Sequence, residues 1–277
     1  MPKLQLSFHG TFAFKKEDLI KIIQAASEDK GLNDSLENLM PRTGLGNRKV
    51  GPMISWSSRA GLVKNKYLTP EGKIVWQFDS RLESIITDWL MHFYLSFGDK
   101  GIEKAPDEPA DWGGWTYFVY TFLPQYLTFS SNELLQHSES VFVEEKSKSL
   151  TKNFRILLRA YTEQQALASC QFIQKLEADK FQAGKAILPN PYLIGYFLAK
   201  LWERDFGEQT SVLTESILEQ KMGLAPVLGI VLSELQEHLN ALEAYGIIEQ
   251  RRTVPPFQVV RRWDNPINLL EKAYANN

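Results

Sequence analysis

One cysteine, Cys170, in 277 residues excludes an internal disulfide and any structural zinc site built on cysteine pairs. The four histidines, His9, His92, His137 and His238, stand too far apart for ligand spacing. Long apolar runs are missing too. The longest, 192–199 and 225–232, fall well short of the roughly 18 residues that cross a bilayer. The opening Met1-Pro2-Lys3-Leu4-Gln5 has no apolar signal core, so no membrane association and a cytoplasmic location are expected. What is present is ordinary globular material, 44% hydrophobic, 12% aromatic and 23% charged. Its length suits two domains, or three small ones, at about 100 to 200 residues each.

Charge is informative once it is divided along the chain. The whole sequence is at −2, but residues 42–73 hold seven bases (Arg42, Arg48, Lys49, Arg59, Lys64, Lys66 and Lys73) against the single acid Glu71. That segment is +6 and the remainder −8. Such concentration points to a polyanion partner.

Apolar periodicity predicts a mainly α, α+β protein in three parts. Residues 1–80 read as an N-terminal winged helix-turn-helix. It has a helix over 16–27, a short helix capped by Ser35, a third helix capped by Asn47, and a wing of two strands, 62–63 and 74–76. Pro52 disturbs the third helix. Residues 81–206 read as a central helical domain, with helices over 81–97, 115–126, 130–137, 148–161, 163–180 and 191–206. Residues 207–277 read as a C-terminal winged-helix-like domain whose wing carries Arg251, Arg252, Arg261 and Arg262. The helix before that wing carries Glu234, Glu237 and Glu243, which suits a protein contact better than phosphates.

Arg42, Asn47, Arg48, Lys49, Ser55, Ser58, Arg59, Lys64 and Lys66 are the candidate DNA-binding residues, being types that bond phosphates and base edges. Gly44-x-Gly46 lacks the strand and the lysine–hydroxyl pair of a P-loop and reads as a turn. Val141-Phe142-Val143-Glu144-Glu145-Lys146 looks like a strand-borne Glu-x-Lys nuclease motif but has no upstream Pro-Asp partner. Asp79 and Glu83, four apart at the base of the wing, could share one face and hold a cation; the alternative is a pair of helix-start carboxylates. His92, in an aromatic helix, reads as a core residue, as does Cys170, while His9 in Phe8-His9-Gly10-Thr11-Phe12 is a candidate for a site.

His9-Gly10-Thr11-Phe12, Gly44-x-Gly46 with Val50 and Trp56, Gly61-Leu62-Val63 and Leu68-Thr69-Pro70-x-Gly72 form one series of blocks. Leu82-Glu83, Trp89-Leu90-Met91-His92-Phe93, Trp115 and Arg159-Ala160-Tyr161 continue it. Together, over about residues 5 to 165, they resemble a bacterial domain-of-unknown-function family linked to DNA phosphorothioation and phage-defence operons. The resemblance implies a magnesium-dependent DNA nickase that gives sulfur-transfer machinery access to one strand. It also implies double-stranded DNA, an ATPase and a sulfur-transfer enzyme as partners, and Mg2+ as cofactor. Gly10 stands where that family usually has glutamate, and Asn47 where it has lysine, so no catalytic residue is carried over. The remaining expectations are a DNA-binding adaptor without enzymatic activity, or a transcriptional regulator, and a homo-oligomer is compatible with each.

Overall fold

Ser35, Thr69, Ser84, Ser130 and Asn190 each stand one residue before a helix and accept a hydrogen bond from a backbone N–H of its first turn. These caps set the frame of the computed structural model, which describes residues 1–177 and 179–276. After a 3-10 turn at Ser7–His9 come α1 (Lys16–Ser27), α2 (Leu36–Thr43) and α3 (Asn47–Arg59). Strands β1 (Val63–Lys64) and β2 (Tyr67–Leu68) form an antiparallel hairpin. Its two turn residues, Asn65 and Lys66, both have positive φ, 51° and 68°, as a tight hairpin turn demands.

The second wing strand expected at 74–76 is helical. Thr69 accepts from the Gly72 N–H and Pro70 occupies the first turn, so the chain starts α4 (Pro70–Phe78). Helix α5 (Ile85–Leu95) is buried almost throughout and crosses the centre of the core. Helix α6 (Gly114–Tyr117) continues into a π turn at Phe118–Phe122.

The central region is not wholly helical. Strand β3 (Thr128–Ser130), α7 (Ser131–Val141), α8 (Ser147–Thr162), β4 (Ile173–Glu177) and β5 (Lys180–Ala183) follow in order. The helix expected over 163–180 is therefore replaced by a 3-10 turn at Ala168–Cys170 and a hairpin. Gln171 at φ 49° ends the helical path, and Phe181 and Ala183 face inward on either side of Gln182, the period of a strand.

Helix α9 (Pro191–Phe206) leads to β6 (Ser211–Leu213), α10 (Thr214–Leu218), α11 (Leu224–Leu228), α12 (Leu232–Ala244), β7 (Ile248–Arg251), β8 (Gln258–Arg261) and α13 (Pro266–Ala275). The two three-stranded sheets share one plan, β3-β5-β4 and β6-β8-β7, with the first strand pairing to the last. Helix α13 packs on both α9 and α4. There Tyr274 stacks on Phe78 at 5.7 Å, and its hydroxyl lies 2.7 Å from that of Thr87.

His92 is a core residue, as its aromatic setting suggests. Its Nε2–H donates to the Val227 carbonyl at 2.8 Å, and Nδ1 accepts from the Tyr161 hydroxyl at 2.7 Å. Tyr161 in turn accepts from the Trp115 indole at 2.9 Å. Burial lowers the His92 pKa to about 4, which keeps this neutral arrangement intact. Among the described residues, no helix is long and apolar enough to cross a membrane.

Candidate nucleic-acid interface

Two of the expected DNA contacts are held inside the fold. Arg42 bonds the Glu28 carboxylate at 2.7 Å and the carbonyls of Ala25 and Gly31 at 3.0 and 2.8 Å, so it braces the 28–34 loop. Lys49 lies 2.6 Å from Asp18, a carboxylate only 2% exposed. Arg48, Asn47 and Ser58 remain on the outside of α3, while Ser55 is half-buried. Gly46 takes the N-cap position expected of Asn47, which becomes the first helical residue.

The hairpin presents Lys64 and Lys66 to solvent. Its tip is anchored where the Leu32 N–H donates to the Lys66 carbonyl at 2.8 Å. A Cβ at Gly31 would lie 2.5 Å from that carbonyl oxygen, so only glycine permits the approach. Between the hairpin, the end of α3 and α9 lies a cleft of about 600 Å³, lined by Ser58, Arg59, Lys64, Asn65, Lys100 and Lys200. Arg59 also covers the Phe8 ring at 4.0 Å. Among the described residues, Glu103 and Glu71 are the acids that share the cleft; the Oε1 of Glu71 sits 3.0 and 2.8 Å from the hydroxyls of Tyr94 and Tyr196. Lys200 is also paired to Glu203 at 2.5 Å. Lys100 and Lys200 escaped sequence reasoning because only the fold brings them to Lys64; no local pattern announces them.

Asp79 and Glu83 do not assemble a cation site. The Asp79 oxygens accept from the N–H groups of Glu83 and Ser84, both at 2.9 Å, and from the Thr87 hydroxyl at 2.5 Å. Asp79 thereby holds the turn that leads into α5, whose cap is Ser84, and Glu83 points to solvent. Among the described residues, no three His, Cys, Asp or Glu side chains come together as a metal cluster. With both Asp79 oxygens engaged in the 79–87 turn and Glu83 turned to solvent, this pair does not fit a magnesium ion. Residues 141–146 close α7 and turn, so Glu144 and Glu145 are not strand-borne.

The arginines at the β7–β8 hairpin are paired with acids: Arg251 and Arg262 with Glu249, Arg252 with Glu243, and Arg261 with Glu208. His9 is buried and stacks on Trp56. Burial, then the charges of Lys152 and Arg59, lower its pKa to about 4. Cys170 is buried, and burial raises its thiol pKa well above the usual value.

The model of a family described as "Protein of unknown function (DUF4007)" matches residues 6–274. Two solved structures share the fold. One, described as "SspB crystal structure", has a TM-score of 0.71 at 15% identity, covering 98% of this chain and 86% of the other. The second, "Magnesium ion-bound SspB crystal structure", has a TM-score of 0.70 at 14% identity, with the same coverage. No curated protein matches the sequence.

Proposed function

This chain belongs to the DUF4007 family, and we propose that it is the DNA-binding component of a phosphorothioation-based defence system. In this reading it holds duplex DNA for an ATPase and a sulfur-transfer enzyme. The observation that carries the reading is the cleft beside the hairpin, where Arg59, Lys64, Lys100 and Lys200 converge from separate parts of the chain. Lysine and arginine side chains around a concavity suit the phosphate backbone, and the exposed Arg48 and Lys66 extend the same basic segment along α3 and the hairpin tip. The basic segment supplies the DNA contacts, although Arg42 and Lys49 within it serve the fold.

A mobility shift across a salt series tests this. Lys64→Glu with Lys100→Glu should weaken binding and reduce the slope of log affinity against log salt by about 0.9 per lost phosphate contact. Unchanged affinity and slope would overturn the reading.

Nicking is the second reading, favoured by the magnesium-bound structure that shares the fold. Supercoiled plasmid incubated with magnesium, and then with chelator, separates the two. Open-circle product that needs magnesium supports a nickase, and a mobility shift without it supports an adaptor.

A further inference from the structure

A strand, then helices, then a hairpin occurs twice, with two helices in the central copy and three in the C-terminal one, and the last helix before the hairpin differs sharply in charge between the copies. In the C-terminal copy that helix is α12, with Glu234, Glu237 and Glu243 and no lysine or arginine. In the central copy it is α8, with Lys148, Lys152, Arg155 and Arg159 and no aspartate or glutamate. The same position in the same arrangement has thus been given opposite charges.

The α8 bases fall at intervals of four, three and four residues, which places them along one helix face. Lys148, Lys152 and Arg155 are exposed and, among the described residues, make no ion pair, whereas Arg159 is held by Glu163 at 2.5 Å. The opposite face is the buried one, with Leu150, Phe154, Leu157 and Leu158. From Lys148 to Arg155 the helix rises about 10 Å, a span that suits a major groove about 12 Å wide. Thr151 lies exposed beside the stripe, its hydroxyl donating to the Ser147 carbonyl at 2.9 Å.

Two features bear on how far the surface extends. The hairpin that follows α8 carries Lys175 and Lys180 but also Glu177 and Asp179, so the helix supplies the net charge. At its other edge the stripe approaches the N-terminal basic segment, because Lys152 and Arg59 both act electrostatically on His9. The 3-10 turn at Ser7–His9 is therefore flanked by α3 and α8.

We infer that α8 is a second duplex-DNA-contacting helix, with Lys148, Lys152 and Arg155 as its phosphate contacts. This goes beyond the cleft reading, since its residues come from α8 and none of them lines the cleft, and it stands or falls separately.

The test uses the full chain with Lys148→Glu, Lys152→Glu and Arg155→Glu combined, and a second variant that keeps the charge, Lys148→Arg, Lys152→Arg and Arg155→Lys. Circular dichroism and thermal melting confirm that both are folded. Mobility shifts on one duplex at several salt concentrations should show about a tenfold or greater loss for the reversal, and a slope reduced by about 2 to 3 units. The charge-keeping variant should bind within about threefold of the parent. If the reversal binds DNA with the parent's affinity and slope, the inference is wrong, whatever the Lys64 and Lys100 variants do. Should it bind DNA normally but lose adsorption to phosphatidylserine vesicles, the stripe is a membrane surface and the inference likewise falls. A reversal that fails to fold is replaced by single reversals at Lys148 and Arg155, each expected to lower the slope by about one unit.

Discussion

The Lys49 ammonium lies 2.6 Å from the Asp18 carboxylate and joins α3 to α1. Asp18 is almost wholly buried, and the only other cation near it among the described residues is Lys21 at 3.9 Å. A base from the densest positive stretch of the sequence therefore acts within the fold.

Lys49→Ala should destabilise the protein by about 1 to 3 kcal/mol. Breaking a fully buried pair costs more, but Lys49 is partly exposed and water screens what remains. Its neighbour Arg48 makes no ion pair among the described residues, and Arg48→Ala should stay within about 0.5 kcal/mol. Urea denaturation of the two variants checks the contrast; equal stability would contradict it.

Arg42 should behave as a brace. Arg42→Lys keeps the charge but loses the planar set of donors that reaches Glu28, Ala25 and Gly31 together. The expected cost is about 1 to 3 kcal/mol, with DNA affinity per folded molecule unchanged. A loss of affinity in a variant of full stability would return Arg42 to the DNA surface.

Asp79→Ala should lower the melting temperature equally in magnesium and in chelator, because what it removes is the acceptor that holds the turn before α5 and the Thr87 hydroxyl. Leaving those donors without their acceptor is expected to cost about 1 to 3 kcal/mol. Glu83→Ala should leave the melting temperature as it is. A magnesium-dependent difference at either position would restore the pair as cation ligands.

Stability should fall between pH 7 and pH 5. His92 and His9 are held near pKa 4 in the fold, against about 6.5 when unfolded. Across that interval the unfolded chain binds protons that the folded chain does not, so stability is full above about pH 6.5 and is lost as pH drops. For His92 alone the loss amounts to about 2 kcal/mol by pH 5. Asp88 works in the opposite direction. Burial raises its pKa to about 6 against the pull of Lys16 and Ser169, so the folded form takes up a proton first and gains stability as pH falls. Two histidines outweigh one carboxyl. Melting curves at pH 7 and pH 5 decide the matter, and His92→Gln should shrink the difference between them.

Local chemistry made much of the helical frame legible. Asn190 followed by Pro191 marks the start of α9, and Ser130 with Glu133 three residues on makes the reciprocal cap of α7. Ile74-Val75-Trp76 shows where such reading divides: a short apolar run suits strand or helix, and here Thr69-Pro70 upstream decides for helix. The β4–β5 hairpin was hidden because its inward residues are few and Leu167, Cys170 and Phe172 before it mimic a helical face. The site was the least legible part. Whether a lysine ends in a basic cleft or beside a buried carboxylate depends on partners tens of residues away, as Lys200 and Lys49 show.

Helix α13 rests on α4, yet 187 residues lie between Phe78 and Pro266. At about 5 to 20 residues per second, a ribosome needs roughly 10 to 40 s to pass from one to the other. During that interval α4 lacks Tyr274 against Phe78, and the Thr87 hydroxyl that bonds Asp79 lacks its second partner. The basic hairpin joins α4 directly through Thr69, so a nascent chain carries it on an unfinished support. The surface made first is the last to mature.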